Sequence, residues 1–123
     1  MSDEFLRIAR EEISDELSEI EGIFTRCFSD KHIQDNATIM ESHFHKIKGL
    51  APMMGYENLG RLASMADIIL KHISEKGIFP DSYFTLLDAF QKMEALFDNG
   101  DRSIDVRDFI DTAKKKISDV TKS

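Results

Sequence analysis

Apolar residues recur at steps of three and four through five separate stretches of this chain, and no stretch alternates apolar with polar residues. A stripe at that spacing runs along one side of an α-helix and has to be covered, so five stripes demand helices packed on helices. The first helix begins after Ser2, an N-cap residue followed by Asp3 and Glu4, and is striped by Phe5, Ile8, Ile13, Leu17, Ile20, Phe24 and Cys27. The second spans about Gln34 to Met54, with Ile33, Ala37, Met40, Phe44, Ile47, Ala51 and Met54. The third runs from Glu57 to about Glu75, with Leu59, Leu62, Ala66, Ile69, Leu70 and Ile73, and stops at Gly77. The fourth opens at Pro80-Asp81 and carries Phe84, Leu87, Phe90, Met93 and Phe97 up to Asn99-Gly100. The last opens at Ser103 and carries Val106, Phe109, Ile110, Ala113, Ile117 and Val120. With short connections between consecutive helices, the expected architecture is all-α: an antiparallel four-helix bundle with an additional fifth C-terminal helix. It forms one domain over residues 1–123.

Composition narrows the function. The 123 residues are 41% hydrophobic, enough for a core without metal or disulfide staples. Sixteen Lys and Arg stand against 23 Asp and Glu, a net charge of −7, and Lys114, Lys115 and Lys116 form the one basic run, so no nucleic-acid partner is expected. The single Cys27 excludes an internal disulfide and reads as a small core residue in a reducing compartment. Charges interrupt the first thirty residues, so neither a signal peptide nor a membrane span is expected, and the expected location is cytoplasmic.

The residues that a core does not explain sit on the second helix. Measured from the centre of its stripe at 100° per residue, His45 lies about 130° away, Lys48 about 70° and Gly49 about 170°. His45 therefore points largely to solvent. Gly49 costs about 1 kcal/mol relative to alanine in a helix, with no packing reason inside the subunit. One turn from His45, it leaves bare backbone where a partner can approach. Lys48, three residues after His45, can offer charge to an anion attached to the imidazole.

The run His45-Lys46-Ile47-Lys48-Gly49-Leu50-Ala51-Pro52-Met53-Met54-Gly55-Tyr56, followed by Leu59, resembles the signature of histidine phosphotransfer (HPt) domains. It is most similar to the N-terminal phosphotransfer domain of chemotaxis-type histidine kinases. The acidic opening with Glu11, Glu12, Asp15 and Glu16, and the fifth helix, look like the same group. The resemblance implies that His45 accepts a phosphoryl group from an ATP-using kinase catalytic domain and passes it to an aspartate of a response-regulator receiver domain. It also implies that Asp67, where the chemotaxis kinases usually carry glutamate, orients the imidazole, and that Ser64 replaces an auxiliary histidine. The shorter Asp67 implies a lengthened or water-bridged contact.

Helical geometry bears on that pair independently. With Gly55 and Tyr56 at the turn, His45 and Asp67 lie ~15 and ~18 Å along their axes, nearly level, on flanks that either face each other or both face away. The competing reading of Asp67 is a solvated residue paired with Lys71 at i+4. Pro52 removes the amide that would bond to the carbonyl of Lys48, so the helix should kink there and Gly55 take a left-handed conformation. No cofactor or metal site is expected: His43 and His45 point about 200° apart, and Glu41 with His45 would need ligands from elsewhere. His32 and His72 have no partner at a telling spacing. No nucleophile-base-orienter set or glycine-rich phosphate loop is present, so no autonomous catalysis is expected in this chain. Two functions remain: a phosphotransfer module, either free-standing or part of a larger kinase, and a scaffolding or dimerisation bundle that does not use the histidine.

Overall fold

The computed structural model describes residues 2–102 and 104–122. These form five α-helices and no strand: α1 (Asp3–Phe24), α2 (Asp30–Leu50), α3 (Glu57–Lys76), α4 (Ser82–Asp98) and α5 (Arg107–Thr121). The all-α class follows the stripes. Ser103, the expected opening of the last helix, lies outside the described residues.

Local chemistry sets the helix ends. Ser2 caps α1 by accepting a hydrogen bond from the Phe5 amide at 3.1 Å, and Ser29 does the same for His32 at 3.2 Å, which starts α2 earlier than the stripe alone suggests. Pro52 ends α2 at Leu50, and the chain tightens into a 3-10 turn over Pro52–Met54. Gly55 follows at φ 79°, a conformation open to glycine, and the Tyr56 amide returns to the Ala51 carbonyl at 3.0 Å. The turn rests on α3 at Gly60, where a Cβ would come within 3.0 Å of the Pro52 ring. The first turn of α3 is capped from far away: the Asp101 carboxylate accepts from the amides of Asn58 at 3.0 Å and Leu59 at 2.8 Å. That cap ties the α4–α5 connection to the loop just after the candidate site.

Packing follows from these ends. Glu16 meets His43 while Arg10 meets Tyr56, so α1 and the α2 region run in opposite directions. His45 meets Asp67 while Glu41 meets Lys71, so α2 and α3 do too. Phe24 stacks on Phe90 at 5.4 Å and Arg10 lies 4.4 Å above the Phe97 ring, joining α1 to α4. The fully buried side chains include Ile13, Ile20, Ile33, Met40, Phe44, Ile47, Leu59, Leu62, Ile69, Leu70, Ile73 and Leu86. Cys27 is among the buried core residues. Two stripes hold over most of their length, with Ile13, Leu17, Ile20, Phe24 and Cys27 buried on the first and Phe90, Met93 and Phe97 on the fourth, and each departs near its start. Ala9 takes the core position on α1 and leaves Ile8 43% exposed; Leu86, Ala89 and Leu96 face the core on α4 and leave Phe84 67% exposed. Small and γ-branched residues fit close helix contacts that the larger ring at 84 would hold apart. On α5 only Ala113 is buried, with Phe109, Ile110, Ile117 and Val120 packed partly against the core.

Where α1 meets α4, like charges gather. Burial, then the neighbouring Glu21 carboxyl and Asp98, push the Glu94 carboxyl up from its ordinary value. Ionising Glu94 in the folded chain therefore costs stability. Its folded-state value lies above the unfolded one of about 4.3, so the cost is absent well below pH 4, grows as pH rises past the unfolded value and is complete above the folded-state one. Glu94→Gln is expected to raise Tm at pH 7 and to leave it unchanged at pH 3, as measured by circular dichroism melts.

Candidate functional site

The site is built on α2 and α3, the most extensively packed pair of helices. Asp67, in the middle of α3, lies among the buried stripe residues with its side chain 1% exposed. Its Oδ2 accepts a hydrogen bond from Lys48 Nζ at 3.3 Å, lies 3.3 Å from His45 Nδ1, and lies 3.5 Å from Lys71 Nζ. Its Oδ1 is buried with no hydrogen-bond partner. The two flanks left open by helical geometry thus face each other, and the shorter acid reaches the imidazole directly, at the long end of hydrogen-bond range.

Burial pushes the Asp67 carboxyl up, but the hydrogen bonds from His45 and Lys48 and the charges of Lys71 and Lys48 outweigh it and hold the group below its ordinary value. Asp67 is therefore ionised at neutral pH and can only accept. A neutral His45 facing it carries its proton on Nδ1, which leaves the lone pair on Nε2. The histidine side chain is 59% exposed. The arrangement fixes a tautomer with a buried charge and leaves the other ring nitrogen with a free lone pair.

The remaining expected residues fall around this pair. Lys48 is half-buried beside Asp67, its ammonium 3.3 Å from the Oδ2 that His45 also faces. A Cβ built on Gly49 meets nothing within 4 Å, so its backbone is open to solvent. Glu12, Asp15 and Glu16 of α1 form an acidic wall beside His45, Lys46 and Gly49, around a depression of about 600 Å³. His43 turns the other way: its Nδ1 lies 2.5 Å from Glu16 Oε2, and it ties α1 to α2. His32 Nδ1 accepts from the Phe28 amide, and the His72 ring sits edge-on to Phe79, both structural contacts.

Two neighbours join the site only through the fold. Spacing alone offers Lys71 as an alternative partner for Asp67 and Glu41 as an isolated ligand. In the structure Lys71 Nζ is 3.5 Å from Asp67 and 3.9 Å from Glu41 Oε1, so both belong to one cluster with His45. The signal was one helical turn: Glu41 precedes His45 by four residues, and Lys71 follows Asp67 by four. Compared with protein-family models, curated proteins and solved structures, the chain finds no match in any of the three.

A carboxyl held low in the folded state stabilises the fold above its unfolded value of about 3.9, and that contribution is lost as pH falls through the folded-state value. Asp67→Asn removes it. The Tm difference between parent and Asp67→Asn is therefore expected to be larger at pH 7 than at pH 3 in paired thermal melts.

Proposed function

We propose that this chain is a histidine phosphotransfer module of a cytoplasmic two-component system, of the chemotaxis type, with His45 as phosphoacceptor. The observation that carries this reading is the solvent-facing His45 ring whose Nδ1 meets a buried, ionised Asp67. The resemblance of the His45–Tyr56 run to HPt domains points the same way. In this reading α1–α4 form the antiparallel four-helix bundle and α5 is added to it. The contacts of α1 with α2 and α4, and of α3 with α2 and α4, support that arrangement. Among the described residues no helix is long and apolar enough to cross a membrane.

The chemistry divides between this chain and its partners. A kinase catalytic domain supplies ATP. The Nε2 lone pair attacks the γ-phosphorus, an N–P bond forms, and the P–O bond to ADP breaks with its electron pair on the departing oxygen. The ring proton stays on Nδ1, where Asp67 stabilises the positive charge that develops on the imidazole. Lys48 offers its ammonium to the phosphoryl oxygens. In the second step a carboxylate oxygen of a receiver-domain aspartate attacks phosphorus, the N–P bond breaks, and its pair returns to Nε2. Gly49 keeps the adjoining backbone clear for both partners. A scaffolding or dimerisation role requires none of this and leaves His45 unlabelled.

Incubation with labelled ATP and histidine-kinase catalytic domains tests the reading. The expected label is acid-labile and base-stable, as a phosphoramidate is. His45→Gln is expected to abolish it and His43→Gln to retain it. Gly49→Leu should fold at least as well, since glycine is the poorer helix former, yet transfer more slowly to a receiver domain. A label retained in His45→Gln contradicts the reading.

A further inference from the structure

Beyond phosphotransfer, we infer that Glu41, His45 and Asp67 form a binding site for a divalent transition-metal ion of the zinc class. One ligand atom from each residue lies within 4.8 Å of the other two. Glu41 and His45 face the same side of α2 one turn apart, and Asp67 is brought against them from α3. It is the third ligand that spacing along the chain could not supply.

Three further observations bear on what such a site would take. Asp67 Oδ1 is buried without a hydrogen-bond partner, so this carboxylate has acceptor capacity that the three side chains around Oδ2 leave unused. The Lys71 ammonium lies 3.9 Å from Glu41 and 3.5 Å from Asp67, so a cation already sits between the two acids, held by a side chain that is half exposed. A divalent ion replacing it brings twice the charge and directional bonds. Finally, one imidazole with two carboxylates suits zinc and its neighbours, whereas magnesium and calcium prefer oxygen alone. Three protein ligands leave the fourth tetrahedral position to water. Ligand atoms around zinc stand about 3.4 Å apart, from bond lengths near 2.0–2.1 Å, so the cluster must contract. Glu41, 23% exposed and 3.9 Å from the Lys71 ammonium, is the side chain that has to move to close that gap.

The nitrogen facing Asp67 is Nδ1. Zinc there takes the Nδ1 lone pair, and the proton that Nδ1 held moves through solvent to Nε2. Nε2 then has no lone pair for phosphorus. Zinc and the phosphoryl group therefore exclude one another at His45, a consequence that rests on the phosphoacceptor reading, while the binding site itself does not.

Zinc chloride titrated into the full chain against a chromophoric chelator tests the site without any kinase. The parent is expected to bind one equivalent. His45→Gln and Glu41→Gln should each weaken binding by about tenfold or more, and Lys71→Met should strengthen it severalfold by removing the competing ammonium. Circular dichroism of each variant separates ligand loss from unfolding. Equal affinity in parent and His45→Gln, or weaker binding in folded Lys71→Met, overturns the inference. A chain that is labelled on His45 but binds no zinc sinks this inference alone; one that binds zinc but is never labelled sinks the phosphotransfer reading alone.

Discussion

A carboxylate buried in the middle of a helix is costly unless it is paired, and Asp67 is paired three ways, by His45, Lys48 and Lys71. Two of these partners come from α2, so the charge fixes how the two helices stand against each other. If the register slipped by one turn, the carboxylate would keep its burial and lose the α2 partners. The apolar stripes of α2 and α3 supply most of the adhesion, but they would tolerate such a slip better than this charge does. The packing of the helices and the chemistry of the site are therefore set by the same contact.

The same contact divides labour within the imidazole. One nitrogen faces a fixed negative charge at the edge of the core, and the other faces solvent. Such a ring is oriented without being enclosed, as the proposed transfer between proteins requires. Around it the surface is uneven: an acidic wall on α1, an open backbone at Gly49, and the ammonium of Lys48. The lysines beside the Asp67 carboxyl are also what the proposed metal ion would have to displace.

Much of this is legible in the sequence because helical periodicity is a strong signal. The stripes of α2 and α3 fall on buried residues nearly throughout, and Ser2, Gly77 and Pro52 mark helix ends by local chemistry. Where a helix offers apolar residues on two sides, periodicity does not choose between them. On α1 and α4, close packing selects Ala9 and Leu86 and turns Ile8 and Phe84 outward. The Asp101 cap on α3 joins residues more than forty positions apart, and no local pattern announces it. At the site, His45, Lys48 and Gly49 stand out because nothing in the core needs them. Whether Asp67 faced them depended on how each helix is rotated against the core, which one helix alone does not reveal, and the membership of Glu41 and Lys71 depended on it too.

The central claim is that Asp67 holds the His45 proton on Nδ1 and leaves Nε2 free to react. Nitrogen-15 NMR of the imidazole, recorded at a pH where the ring is neutral, reads this directly. In the parent chain the His45 shifts should report a proton on Nδ1 and a bare Nε2, and in Asp67→Ala the proton should redistribute toward Nε2 while the rest of the spectrum keeps its folded pattern. The same tautomer mixture in both proteins would contradict the account.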